Sequence, residues 1–463
     1  ILMNRRHSQR APTVSRASHP AVWVPFARAA VAAAAMLAAA PRAHAQSVGA
    51  AAASVAAASS QTVEITGSAL TRLDQPSGAG SRLGLSVRDT PASATVIDRA
   101  SFEAIGALDT QDVLRLVPGV SFSAQPGSPG SVFYRGFGAA SLSQLYNGIT
   151  VQYDAISARP VDAWLVDRVE ALGGPSGFLH GAGAVGGSIN IITKIADTQG
   201  DLSEARLALG TQRQAAFSLQ RSLGASTPAD AHVLRADLNA TRGGVDTQGR
   251  DREAWQLGLS WRAPLGAKAS HTLSVEQQQE RVNQPYWGTP LLRDASNAVV
   301  GEARIDPRTR GVSYNAVDGL YQQNVLWVRS IAEVQLSPRT RASHTLYHYE
   351  ALRDYENIET ATWVNGNRQV QRSNALLQRH NQDVTGSRGE LTHRGTLAGR
   401  TSAWALGWDL SWNTQTRYPL SVTGPFDTTD PLQPAPVRFN DTTGITPGFV
   451  PGATNQLRTA ALF

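Results

Sequence analysis

The glycine spacing most suggestive of chemistry is Gly181-Ala182-Gly183-Ala184-Val185-Gly186, a match to GxGxxG. That pattern serves a dinucleotide when a helix N-terminus follows the glycines and holds the pyrophosphate. Here Gly187-Ser188-Ile189-Asn190-Ile191-Ile192-Thr193 follows, which reads as a strand, so the pattern does not support a nucleotide site. No Gly-Lys-Ser/Thr phosphate loop, HExxH or GxSxG is present. The 463 residues contain no cysteine, which excludes a disulfide framework, a thiolate metal site and a cysteine nucleophile.

The charge balance is concentrated in a leader. The chain carries 42 Lys+Arg against 36 Asp+Glu, a net +6 that would suit nucleic acid. Arg5, Arg6, Arg10, Arg16, Arg28 and Arg42 all lie before residue 46, where there is no Asp or Glu; the remainder is formally neutral, and no nucleic-acid partner is expected. Ile1-Leu2 precede Met3, where translation is expected to start. A basic n-region, an apolar run from Ala29 to Ala40 and the Ala43-His44-Ala45 pattern make residues 1–45 a signal peptide. The run is too short to span as a helix, which takes about 20 apolar residues. Gln46 to Ser60, almost all Ala and Ser, reads as a linker, and Thr62-Val63-Glu64-Ile65-Thr66 as an extended patch at its end.

Residues 72–197 are mixed and glycine-rich, with short apolar strands such as Ala94-Thr95-Val96-Ile97 and a helical segment, Thr110 to Leu116, ending at Pro118-Gly119. From about residue 203 the pattern becomes long alternating strands. Trp404, Leu406, Trp408, Leu410 and Trp412 share one face of 402–413, and Ala403, Ala405, Gly407, Asp409, Ser411 and Asn413 the other. Segments 232–241, 254–262 and 326–336 alternate in the same way. About ten strands are expected: near 204–210, 213–222, 231–241, 252–262, 270–280, 324–336, 341–352, 382–393, 401–413, and one beginning at Gln456. A soluble sandwich would alternate likewise. Short connections (263–270, 337–341, 394–400) and long loops (281–323, 353–381, 414–455) favour a membrane β-barrel.

Several ordered motifs over roughly residues 60–463 resemble the TonB-dependent outer-membrane receptors, ferric-siderophore branch. They are Thr90-Pro91-Ala92-Ser93, the stretch Leu114 to Val120 (LRLVPGV), Tyr134-Arg135-Gly136-Phe137, Val166-Asp167-Arg168-Val169-Glu170, Gly174-Pro175-Ser176, Gly181 to Lys194, and Tyr286-Trp287-Gly288-Thr289-Pro290-Leu291. The resemblance implies a mainly β fold: an N-terminal α+β plug domain inside a transmembrane antiparallel β-barrel of about 22 strands, of which about ten are present. The implied organisation is 1–45 signal peptide, 46–71 linker and TonB box, 72–197 plug, and 198–463 the N-terminal part of a truncated barrel. Ten strands cannot enclose such a plug, and the barrel part extrapolates to a chain of roughly 750–800 residues.

The implied function is TonB-dependent uptake of a ferric siderophore across the outer membrane of a Gram-negative bacterium; no bond is made or broken in it, so the resemblance implies no enzyme, no resident metal and no cofactor. The partners are TonB, with ExbB and ExbD, the siderophore carrying the iron as cargo, and membrane lipid. Thr62, Val63, Glu64, Ile65 and Thr66 stand at the TonB box, whose extended form suits strand addition to a partner's sheet edge. Plug arginines of the family pair with barrel acids. Arg135 is the candidate here, with Glu390 and Asp409 as partners by strand parity, or else it lies solvated at the surface. The family's usual "RGP" is Gly173-Gly174-Pro175 here, its "LYG" is Leu179-His180-Gly181 and its "DG" is Asn147-Gly148; His180 reads as a plug histidine rather than an iron ligand. Tyr286, Trp287, Tyr314, Tyr321, Trp363 and Tyr418 are the loop candidates for ligand contact, and rim aromatics that anchor in lipid would look the same. An importer of cobalamin or a saccharide is the alternative. A receptor that also signals to transcription would need a folded domain before the box, for which residues 46–60 leave no room.

Overall fold

A computed structural model describes residues 72–463 apart from 75, 79–81, 124–130, 139–140, 151–160, 176–184, 225–229, 245–250, 287, 295, 297, 300–302, 446–447 and 449. The signal peptide, the Ala/Ser tract, Thr62–Thr66, His180 and Trp287 lie outside the described residues.

The first part is a small α+β domain. Its strands are β1 (Ser93–Asp98), β2 (Val120–Ser123), β3 (Ser131–Tyr134), β4 (Phe137–Gly138), β5 (Leu142–Tyr146), β6 (Ile149–Thr150), β7 (Val166–Gly173) and β8 (Gly187–Thr193). Five form a mixed sheet in the order β1-β7-β8-β5-β6, and β2-β3-β4 form a second sheet. Strand β8 lies centrally, parallel to β5 and antiparallel to β7, so the residues after the glycine pattern are indeed a strand. Asn147 (φ 54°) and Gly148 (φ 78°) make the β5–β6 turn; both central residues are left-handed, as this tight hairpin requires. Helices α1 (Arg99–Ala104) and α2 (Thr110–Leu114) are capped by Asp98 and Asp109; the Asp109 carboxylate accepts from the amides of Gln111 and Asp112.

The second part is one antiparallel ten-stranded sheet, β9 to β18 in chain order. The strands are β9 (Leu202–Ala208), β10 (Gln212–Leu223), β11 (His232–Gly244), β12 (Asp251–Pro264), β13 (Ala269–Asn283), β14 (Leu320–Ser337), β15 (Thr340–Val364), β16 (Gln369–Leu397), β17 (Arg400–Thr429) and β18 (Ala453–Leu462). All ten expected strands are present. Among the described residues β9 and β18 do not pair with each other.

The burial is inverted relative to a soluble sandwich. On β11, Arg235, Asp237 (2% exposed) and Asn239 are buried while Leu234 is 47% exposed. On β12, Gln256 and Ser260 are buried while Leu259 and Trp261 are exposed, and on β17 Ser411, Asn413 and Gln415 are buried while Leu406 and Trp412 are exposed. An apolar outer face and a polar inner face fit a barrel wall in lipid. No helix among the described residues is long and apolar enough to cross a membrane.

One expected loop is largely strand and a second is strand over its first part. The segment 353–381 continues β15 and β16 up to a short turn at 365–368, and β17 runs to Thr429. Above the lipid band both faces meet water or loops, so the apolar alternation that marks a strand disappears while backbone pairing continues.

Candidate functional site: the plug–barrel interface and the loop rim

The small domain packs on the polar face of the large sheet. Its core residues Ile97, Phe102, Val113, Trp164, Val169 and Ile189 are continuous with Val325, Trp327, Tyr347, Tyr349 and Val384 of the wall. Trp327 sits edge-on to Tyr349 with ring centroids 5.3 Å apart.

Polar contacts surround this apolar patch. The C-terminal end of the plug is held by three of them. Thr193 donates its hydroxyl to Glu276 Oε1 at 2.6 Å, and Arg329 Nη2 reaches the same oxygen at 2.9 Å. Lys194 Nζ lies 3.9 Å from Asp237 Oδ1, and Arg235 Nε donates to Asp237 Oδ2 at 2.8 Å. The Ala196 amide donates to Ser260 Oγ at 2.7 Å. Burial lowers the Lys194 ammonium to about 8, opposed by Asp237. Elsewhere Arg99 Nη2 donates to Glu204 Oε2 at 2.6 Å, the Asp162 amide to Gln256 Oε1 at 2.9 Å, and Arg388 to the Gly148 carbonyl. Burial pushes the Asp162 carboxyl up to about 7 although it accepts from the Trp164 amide.

Arg135 is not the partner of Glu390 or Asp409. It is exposed and left-handed (φ 52°), and its Nη2 donates to Ser93 Oγ at 2.6 Å. Glu390 instead accepts from Arg82 Nη1 at 3.3 Å, and Asp409 Oδ1 accepts from the Tyr347 hydroxyl at 3.4 Å. The Arg82 guanidinium also lies 3.6 Å from the Phe463 ring centroid. Burial lowers Arg82 to about 10. Parity placed both acids on the correct face but could not say which plug arginine stands at their height. The bare Gly173 has a local reason: a Cβ there would lie 2.7 Å from Arg135 Cζ and 3.0 Å from the Tyr134 hydroxyl. The Arg135 guanidinium fills the space that a side chain at 173 would need.

The loop aromatics are not a free contact surface. Tyr286, Tyr314, Tyr321 and Trp363 are all buried, and Tyr418 is half-buried. Trp363 Nε1 donates to the Pro290 carbonyl at 3.0 Å and the Tyr314 hydroxyl to the Pro431 carbonyl at 2.7 Å, tying the β13–β14 loop to β15 and to the segment after β17. Tyr314 and Trp363 form a small core with Val370, while Ile358, Leu377 and Phe439 form another with Ala316. Tyr321 and Trp363 lie on strands β14 and β15, and the β13–β14 loop is long enough to bury Tyr286 and Tyr314.

Missed by sequence reasoning were Arg82, Lys194, Asp237, Glu276 and Arg329. The available signal was parity: Asp237 and Glu276 are charges on lumen-facing positions, and Lys194 is one of two lysines in the chain, at the plug–barrel junction.

A small domain of this topology against the inner face of an outward-apolar, antiparallel sheet has the architecture of a plug on the wall of a membrane β-barrel. Residues 86–188 match the family model described as the TonB-dependent Receptor Plug Domain. The vitamin B12 transporter BtuB of Vibrio vulnificus is 30% identical over 237 residues, 50% of this chain and 34% of that one. The ferripyoverdine receptor of Pseudomonas aeruginosa is 34% identical over 143 residues, 28% of this chain and 17% of that one. Among solved structures, the siderophore receptor PiuA of Acinetobacter baumannii superposes with a TM-score of 0.69 at 19% identity, covering 84% of this chain and 56% of that one. The ferric-catecholate import receptor Fiu of E. coli, in its open form, superposes with a TM-score of 0.69 at 19% identity, covering 85% and 60%. Residues 86–188 are thus similar to the plug domain of TonB-dependent receptors, and the chain continues from them into ten antiparallel strands of wall. The aligned regions span about a third or less of the length of these two relatives.

Proposed function

We propose that this chain belongs to a transporter that takes up a ferric siderophore across the outer membrane, driven by TonB with ExbB and ExbD. The observation that carries the reading is the plug seated on the polar inner face of the wall by a set of replaceable polar contacts. The family match at 86–188 and the similarity to a ferripyoverdine receptor and to PiuA support it. Iron enters as cargo, with no resident cofactor, and no bond is made or broken. Thr62, Val63, Glu64, Ile65 and Thr66 serve as the TonB box, which adds as a strand to the periplasmic partner. Arg82–Glu390, Lys194–Asp237 and the Thr193–Glu276–Arg329 group hold the plug at rest and release it under load. Ligand binding signals only by stabilising the box-exposed state more than the resting one. The 237-residue match to a vitamin B12 transporter favours cobalamin as the second reading. Growth of a receptor-deleted strain carrying the full-length gene separates them. Rescue by ferric siderophores under iron starvation supports the proposal, and rescue only by cobalamin under cobalamin limitation overturns it.

A further inference from the structure

One row of the inner wall is unusually basic. Arg353 on β15, His380 on β16 and Arg417 on β17 are direct cross-strand partners, so their side chains leave one face about 5 Å apart. The carboxylate in the same row is Glu280, which continues it through Gln323. Both Glu280 oxygens are engaged: Oε1 accepts from Arg252 Nε at 2.7 Å and Oε2 from Gln323 Nε2 at 3.0 Å. One row nearer the loop rim, on the same face, Tyr321 and Tyr355 pair across β14 and β15.

His380 is the telling residue. It is 5% exposed, yet neither ring nitrogen has a hydrogen-bond partner among the described residues. Buried polar groups in folded proteins are nearly always satisfied, so an unmet one calls for an explanation. The guanidinium groups of Arg353 and Arg417 stand on the two strands that flank it. The partner that suits an imidazole N–H between two guanidiniums is an acceptor with negative charge.

We propose that Arg353, His380 and Arg417 form a docking site for the anionic oxygens of the transported chelate, which makes the substrate class ferric chelates of net negative charge, with carboxylate or catecholate oxygens. This rests on the siderophore reading and deepens it.

The test is equilibrium binding to the purified full-length receptor in detergent, read by intrinsic tryptophan fluorescence. The probes are a ferric tricatecholate of net negative charge and a ferric trihydroxamate without one. The proteins are wild type, His380→Leu and Arg417→Gln. Wild type is expected to prefer the tricatecholate, with an affinity that falls as salt rises from about 50 to 500 mM. Each variant is expected to lose about tenfold for the tricatecholate and less than about twofold for the trihydroxamate. Unchanged tricatecholate affinity in both variants, equal losses for both chelates, or salt-independent binding by wild type would each overturn the anion site. Wild type that binds cobalamin and no ferric chelate would instead sink the siderophore reading beneath it.

Discussion

Thr193, the last residue of β8, and Glu276, in the middle of β13, share a hydrogen bond of 2.6 Å that joins plug to wall. Arg329 holds the same carboxylate oxygen at 2.9 Å, and both Glu276 and Arg329 are buried. A buried pair of this kind is costly to break on one side, because the remaining charge is left without its partner. Glu276→Ala is therefore expected to destabilise the receptor by about 3–5 kcal/mol, read as a lower urea midpoint, and adding Arg329→Met is expected to recover part of the loss. Additive effects of the two changes would show that the residues do not act as a pair.

Two plug arginines are predicted to behave differently. Arg82→Ala removes the ion pair with Glu390 and the contact with the Phe463 ring. It should raise ion leak through the purified receptor in single-channel recordings under moderate urea. Arg135→Ala removes a hydrogen bond from an exposed side chain to Ser93, and should change stability by no more than about 0.5 kcal/mol. Leak from the Arg135 variant alone would restore the pairing expected from sequence.

Asp162 gives the pH dependence. Burial raises its carboxyl from 3.8 to about 7, so the folded chain holds a proton there that the unfolded chain has released. Its contribution is fully present below about pH 4 and is lost as pH rises through about 7. Asp162→Asn keeps an acceptor for the Trp164 amide and carries no charge, so it should flatten the fall in stability between those values. Denaturation midpoints measured from pH 4 to 8 check this; parallel curves for wild type and variant would contradict it.

Proline at Val63 or Ile65 should abolish uptake and leave ligand binding unchanged if residues 62–66 are the proposed TonB box, because it removes an amide from the strand that would pair with the partner. Uptake and equilibrium binding on the same cells check both halves. Wild-type uptake by the proline variants would place the box elsewhere.

The wall was legible in the sequence because a membrane strand repeats every two residues. Trp404, Leu406, Trp408 and Trp412 announce their face without any knowledge of their neighbours. The same rule put Glu390 and Asp409 on the inner face, but their partners depend on the height of Arg82 against Arg135 within the plug, which no local pattern encodes. Lys194 and Glu276 were missed for that reason. The candidate contact aromatics differ: Trp363 and Tyr314 lie far apart in sequence from the Pro290 and Pro431 carbonyls that they bind, so their burial is a property of the folded chain and not of composition.

The central claim is energised transport of iron through this plug and wall. The direct measurement is uptake of radio-iron, presented with a panel of siderophores, by a receptor-deleted host carrying the full-length gene, with and without a protonophore. The account predicts saturable uptake with at least one siderophore, abolished by the protonophore and by deletion of residues 62–66. Uptake with none of the panel, or uptake indifferent to both treatments, would contradict it.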